Sequence, residues 1–339
     1  MGLRPAAAAL AAVVVVAGAP AAAAPSARTR ARAAVRYLVE QQQPDGSIPA
    51  FSPEASTADA VVAMVAARRA PGAIDDAMAF LRARVQAGAV TDVGTTATVV
   101  MAVVAAGRNP RSFGGSNLVA QIVTSQQPDG RYGAGTPVFR HALAMLALEA
   151  AGEPNAQAAQ WLAAAQCDDG GWQFDEPSSD ADDAHCFSGA GDFFTSETDA
   201  TGLAVQALAA APADVEPAHD PFVFLRRRRD DVKGGWGYSR DFPLTSTNST
   251  ALAIGAYVAE GREVPSGARR ALRKLQYPLC GAGGGAFAFT WTDGDGDGDL
   301  ERTGRDSGAT IPGILGLLER PLPVAAADVT KPAPRLPSC

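Results

Sequence analysis

Two kinds of apolar segment alternate along the chain. One kind is amphipathic, as in Ala33-Ala34-Val35-Arg36-Tyr37-Leu38-Val39 and Ala158-Ala159-Gln160-Trp161-Leu162. Its apolar positions recur at three and four with polar residues between them, the pattern of a helix half-buried against a core. The other kind is apolar nearly all round: Ala60-Val61-Val62-Ala63-Met64-Val65, Thr98-Val99-Val100-Met101-Ala102-Val103 and Gly202-Leu203-Ala204-Val205-Gln206-Ala207-Leu208. A helix apolar on every side has to be enclosed on every side. The alternation predicts six pairs, each an outer helix followed by an enclosed inner one, without a strand of any length.

A turn signal separates the members of each pair. Gln42-Gln43-Pro44-Asp45-Gly46 is echoed by Gln126-Gln127-Pro128-Asp129-Gly130 and by Gln166-Cys167-Asp168-Asp169-Gly170-Gly171-Trp172. Weaker copies lie at Gln86-Ala87-Gly88, Asp231-Val232-Lys233-Gly234-Gly235-Trp236 and Gly283-Gly284-Gly285. Glycines 46, 88, 130, 170, 234 and 284 are spaced by 42, 42, 40, 64 and 50 residues. A period in that range marks a repeat architecture, and the two long steps mark insertions; long segments at about 173–195 and 282–306 lie between an outer helix and the next inner-helix N-terminus. The inner segments open on Ser56-Thr57, Thr95-Thr96, Ser196-Glu197-Thr198-Asp199, Thr247-Asn248-Ser249 and Asp306-Ser307, residues suited to capping a first turn, while the third opens on Thr136-Pro137. The expected fold is all-α: an (α/α)6 toroid over 25–321, followed by a Pro/Ala-rich tail at 322–339.

Gln166-x-x-Asp169-Gly170-Gly171-Trp172 resembles the QW repeat of squalene–hopene cyclases and related terpene cyclases. Thr247-Asn248-Ser249-Thr250-Ala251-Leu252 is similar to inner helices of the wider superfamily, which includes prenyltransferase β subunits, complement thioester domains and cobalamin carriers. The likeness runs over roughly 30–319 and implies a six-pair toroid. In the motif, Gln is expected to bond the last free carbonyls of its helix, Asp-Gly to make the turn, and Trp to pack on the neighbouring helix.

The ends and the composition narrow the setting. Arg4 followed by an Ala/Val run and small residues at Ala21–Ala24 reads as a signal peptide over 1–24, cleaved after Ala24, with a retained anchor as the rival reading. Export predicts a secreted chain with no stable membrane insertion after cleavage. The formal charge is −7, which argues against nucleic acid as a partner. Four cysteines in an exported chain should be oxidised; three pairings exist, and Cys167–Cys186 with Cys280–Cys339 is the one expected.

Inner-helix N-termini converging on one rim would gather dipoles and polar side chains there. The expected ligand-binding rim comprises Asp59, His141, Asp199, Asn248 and Asp306. Terpene cyclases that protonate an alkene carry D-x-D-D-T-A at this helix start. Here Glu197-Thr198-Asp199-Ala200-Thr201 keeps two of the three acids, which makes Asp199 the candidate general acid and Glu197 its support. Three features pull against that activity. Ala200 replaces the third acid, aromatics are only 6% of the chain, and known cyclases of this type are expected to need two toroids. Zinc transfer lacks the family's ligand spacing, and the thioester run is absent. In Asp293-Gly-Asp295-Gly-Asp297-Gly-Asp299-Leu300-Glu301 the carboxylates alternate as in a calcium loop, which predicts a structural calcium site. Three functions remain open: a non-catalytic module binding a small hydrophobic ligand or a partner's segment, a cyclase-like isomerase acting through Asp199, and a structural surface protein.

Overall fold

The computed structural model describes residues 24–135, 137–175, 195–211, 215–294, 296, 298–335 and 339. Twelve helices are described. The outer set is α1 (Ala27–Gln41), α3 (Pro71–Gln86), α5 (Leu118–Thr124), α7 (Ala156–Ala164), α9 (Pro221–Arg227) and α11 (Ser266–Leu275). The inner set is α2 (Pro53–Ala67), α4 (Val93–Ala105), α6 (Val138–Ala150), α8 (Thr198–Ala210), α10 (Thr247–Ala259) and α12 (Ser307–Leu318). Each inner helix packs on the next, and α12 returns to α2, so the inner wall is a closed ring. The chain is the expected all-α toroid. Three ladders of two-residue strands, which the apolar pattern did not announce, tie the long loops: β1 (Trp172–Gln173) with β2 (Ser196–Glu197), β3 (Phe287–Ala288) with β6 (Arg305–Asp306), and β4 (Trp291–Thr292) with β5 (Glu301–Arg302).

One buried bond sets the register of nearly every pair. Two residues past the turn glycine, the backbone N–H donates to a side chain in the first turns of the inner helix. The pairs are Ile48 to Thr57 Oγ1 at 2.9 Å, Tyr132 to His141 Nδ1 at 3.1 Å, Trp172 to Thr201 Oγ1 at 2.9 Å, Trp236 to Thr250 Oγ1 at 3.1 Å and Phe287 to Thr310 Oγ1 at 2.9 Å. A buried N–H left unpaired is costly, so the turn and its helix are locked in one phase. The second pair departs from this. Its chain passes from α3 to α4 through 87–92 alone, and the Thr96 hydroxyl at the equivalent position is buried with no partner.

Two of the caps, Glu197 and Asp306, come from the expected runs, and three lie just ahead of them. Side chains of Ser52, Asp92, Glu197, Ser246 and Asp306 accept the first-turn N–H groups of α2, α4, α8, α10 and α12. Ser56 and Thr57 lie inside α2, which starts at Pro53. The motif glutamines also act differently. Instead of bonding their own helix ends, Gln42, Gln166 and Gln276 donate to their turn's glycine carbonyl and to the next outer segment, at Ala73, His219 and Arg30. The bond from Gln276 to Arg30 joins the sixth pair to the first. It identifies the sixth turn glycine as Gly285 rather than Gly284: Gly285 has φ +84°, and a Cβ there would sit 2.5 Å from Ala33 carbonyl carbon. The indoles of Trp172 and Trp236 donate back to their own outer helices, at Leu162 and Leu225, both at 2.7 Å.

The tail is part of the fold. After α12 it crosses the C-terminal end of the inner ring, where Leu322 N–H donates to Gln206 Oε1 of α8 at 2.9 Å. It then returns to α3, where Ala70 N–H donates to Lys331 O at 2.9 Å, with Leu322, Val324, Ala327 and Val329 packed on the core. Cys339 closes it with the expected disulfide to Cys280. Cys167 is also oxidised, while its expected partner Cys186 lies outside the described residues. No helix among the described residues is long and apolar enough to cross a membrane.

Replacing Thr57 with Val orphans the Ile48 N–H and should lower stability by about 1–3 kcal/mol. Thr96→Val removes a buried hydroxyl that has no partner, and should be neutral or stabilising by about 1 kcal/mol. Urea denaturation of both variants checks the pair.

Candidate functional site

The register bond places equivalent residues of the six inner helices in layers around the lumen. Two residues before each bonded position stand Ala55, Gly94, Phe139, Asp199, Asn248 and Gly308; two residues after it stand Asp59, Thr98, Leu143, Leu203, Leu252 and Pro312. Within helices that are largely buried, Ala55, Asp59, Phe139, Leu143, Asp199, Asn248, Leu252 and Pro312 keep partial solvent contact at these two levels, which marks the face that looks into the lumen. The second layer lies about 6 Å deeper than the first, four residues at 1.5 Å each. Helices α2 and α8 are three places apart in a ring of six, so Asp59 and Asp199 occupy opposite walls.

Asp199 sits in the first turn of α8 next to the capping residue. Glu197 is fully buried and its two oxygens accept the N–H groups of Asp199 and Ala200, both at 2.6 Å. Burial pushes the Glu197 carboxyl well above its usual range, the neighbouring Asp199 charge adds to that, and the two backbone bonds oppose it. Burial also raises Asp199, to about 6, against a hydrogen bond with Ser249. Two carboxyls this close cannot both ionise readily, so the pair retains a proton near neutral pH. Both Glu197 oxygens already receive donors at a helix N-terminus, which favours its carboxylate. Asp199 Oδ1 is buried without a partner, and is the natural seat of the proton. Asn248 Oδ1 and the Thr198 hydroxyl are likewise buried and unpartnered, as are both amide atoms of Gln173 on β1. Asp59 makes no hydrogen bond or ion pair, and burial alone raises it to about 7.

Of the expected rim residues, Asp59, Asp199 and Asn248 face the lumen. His141 does not: it is fully buried, Nδ1 accepts the Tyr132 N–H, Nε2 lies 3.0 Å from Ala158 O, and burial lowers it to about 4. It takes the threonine's place in the third register bond. Asp306 is occupied as the cap of α12, accepting the Ala309 N–H at 2.8 Å. In the acidic loop, Asp293 accepts the Gly298 N–H and Glu301 lies on β5, while Asp295 and Asp297 lie outside the described residues. Asp299 also belongs to this loop. Among the described residues, no cluster of three metal-ligating side chains forms.

The sequence pattern did not reveal an aromatic mouth. Phe51, Phe242 and Phe289 are 80%, 59% and 40% exposed, on the loops that lead into α2, α10 and α12. Phe51 lies against the first turn of α12, near Gly308, and the Phe289 carbonyl accepts the Thr247 N–H that opens α10. Phe139 of the first lumen layer stacks on Phe174 at 5.6 Å. Few aromatics are present, but several of them stand at the entrance.

No family model matches the chain, and no curated protein matches it. Solved structures do. The apo type II terpene cyclase MstE from Scytonema aligns at 17% identity with a TM-score of 0.58, over 87% of this chain and 98% of that one. A variant of the same cyclase in complex with geranylgeranyl dihydroxybenzoate aligns at 16% identity and 0.58, over 87% and 97%. An inactive variant of the alpha-1,6-mannanase GH76A of Salegentibacter sp. HEL1_6, in complex with alpha-1,6-mannotetrose, aligns at 11% identity and 0.56, over 87% and 99%. At these identities the likeness establishes the fold, an α/α toroid related to terpene cyclases and to a glycoside hydrolase. It also corrects one sequence expectation. A type II terpene cyclase matched over nearly its whole length by this chain does not require two toroids.

The raised acids give stability a definite pH dependence. In the unfolded chain Asp59 ionises near 3.8, and in the folded chain near 7. Between those values the folded state holds the extra proton, so the contribution is intact below pH 4 and is lost as pH climbs through 7. Asp59→Asn should leave stability unchanged at pH 4 and raise it by about 4 kcal/mol at pH 8, relative to the parent. Thermal denaturation across that range checks it; equal curves at pH 8 would remove Asp59 from the enclosed lumen.

Proposed function

We propose that the chain admits an elongated apolar molecule through the aromatic mouth and that Asp199 protonates an alkene on it, making the protein an isomerase or cyclase of the type II terpene cyclase kind. The observation that carries this reading is the Asp199 carboxyl. It faces the lumen, keeps one oxygen without any partner, and stands beside a Glu197 whose two oxygens accept backbone N–H groups. The Asp199 O–H bond breaks as a C–H bond forms on the alkene. The resulting cation, near the face of Phe139, loses a proton to lumen water, and solvent restores Asp199; the sum is an isomerisation. Asp59, one turn deeper and neutral up to about pH 7, offers a hydrogen bond to a polar group on the molecule.

A second reading, non-catalytic binding of a hydrophobic ligand or a partner's segment, draws on Ala200 standing where a third acid is expected and on walls of Leu143, Leu203 and Leu252. The leader at 1–24 and the Cys280–Cys339 disulfide support action outside the cytoplasm, with a calcium ion in the 293–301 loop serving only to shape that loop.

The test is incubation with acyclic isoprenoids, geranylgeraniol and squalene among them, in deuterated buffer, followed by mass analysis of isomers. Isomers carrying one new deuterium are expected, with Asp199→Asn reducing their rate by at least ~100-fold and turnover falling as pH rises above about 6. Undiminished turnover in that variant would eliminate the acid role. An isoprenoid held in native mass spectra by parent and variant alike, with no isomer formed, favours the binding reading.

A further inference from the structure

At the opposite end of the ring from the mouth lies a groove of about 630 Å³ with a different chemistry. Its walls are the first turns of α1, the C-terminal ends of α2 and α12, and the returning tail. Arg28, Arg32, Arg68, Arg69, Arg320 and Lys331 all line it, in a chain whose net charge is −7. Two acids share the lining, and one of them, Glu319, is engaged by Arg269. Among the described residues, Arg28, Arg32, Arg68, Arg320 and Lys331 have no carboxylate partner. Mutual repulsion is already felt, since the Arg32 charge adds to burial in lowering Arg69.

The backbone here is unusual in a way that burial does not require. After α4, α6 and α10 the left-handed position is filled by Gly107, Gly152 and Gly261, with φ of 69°, 74° and 62°. After α2 and α12 the same kind of position is filled by Arg68 and Glu319, each at φ 53°. A residue with a Cβ costs about 1 kcal/mol there relative to glycine. The remaining non-glycine residue with positive φ among the described residues is Ala70, whose N–H holds Lys331 O, so all three lie at this groove. Glycine would serve both turns better as turns. What Arg68 adds is a cation at the groove wall, and what Glu319 adds is a clamp on Arg269 that keeps it in place.

We infer that this groove is an anion site for a phosphate-bearing ligand, separate from the lumen and independent of the activity proposed for it. Guanidinium groups from three segments converge with a tail ammonium, the geometry that suits a multiply charged phosphate better than a single carboxylate. The phosphate can come from a soluble diphosphate or from an anionic lipid headgroup, and the two are separated by experiment. Full-length mature chain is titrated calorimetrically with inorganic pyrophosphate, and cosedimented with phosphatidylcholine vesicles with and without phosphatidylglycerol. The expected result is saturable binding in one arm that weakens steeply with salt and by about tenfold in Arg68→Gly. That variant relieves the left-handed strain, so its melting temperature should rise, which separates loss of a ligand contact from loss of fold. Arg32→Gln should weaken the same arm. Binding in neither arm, or binding unchanged in a stabilised Arg68→Gly, overturns the inference.

Discussion

The toroid depends on a single repeated hydrogen bond, from the backbone just past five of the six turn glycines to a threonine or histidine in the following inner helix. Neither partner has water to fall back on, so each bond fixes both the depth and the rotation of its helix. Rotation decides which residues face the lumen. A helix turned by one residue would carry Asp199 toward a neighbouring helix, where an unpaired carboxyl has no tolerable place. The outer links work alongside: Gln42, Gln166 and Gln276 reach from one turn to the next outer segment, and the last of these closes the circle at Arg30.

That constraint explains what could be read from the sequence. The contrast between half-exposed and wholly apolar segments follows directly from burial, so the six pairs and the toroid were legible. Asp199 stood out only because Glu197-Thr198-Asp199 resembles the acid run of terpene cyclases; its burial beside Glu197 depends on the fold. Gln276 was missed because nine residues, rather than the four between Gln42 and Gly46, separate it from Gly285, and the intervening Cys280 loop hides the motif. His141 was expected at the rim because a histidine in an apolar helix invites a chemical reading. Its actual role, a threonine's bond in another side chain, depends on Tyr132 and Ala158, which only the fold brings together. The cap of α2 was displaced for a similar reason: Ser56 and Thr57 look like caps, but Ser52 fills that role and frees Thr57 for the register bond. The phenylalanines of the mouth carried no periodic signal, since loop residues have none.

Low aromatic content had weighed against a cation-forming lumen, but composition averages over places that differ. The inner walls are indeed Ala, Val, Leu and Thr, and the exposed phenylalanines sit on the loops above them. The lumen is thus apolar in its walls, acidic at two opposed points and aromatic at its entrance. Apolar walls raise the carboxyl pKa values by denying them water. The same burial that makes these carboxyls weaker acids keeps them protonated closer to neutral pH, the form in which a carboxyl can donate a proton.

The two ends of the ring are opposite in charge for a reason that lies in the helices. All six inner N-termini meet at the mouth, where the positive end of each dipole steadies Glu197, Asp306 and the other acidic caps. All six inner C-termini meet at the far end, where cations offset the unsatisfied carbonyls. Dipole compensation accounts for basic residues there in general. It does not account for placing Arg68 in a conformation that glycine occupies at three sister turns, because an arginine one residue earlier or later would meet the carbonyls without strain. The tail bears on the same point. It spans the inner ring, binds α8 through Leu322 and α3 through Lys331, and is fastened by Cys339. The tail therefore runs past the C-terminal ends of the inner helices from α8 to α3, and its Lys331 adds a cation to the groove that Arg68 lines.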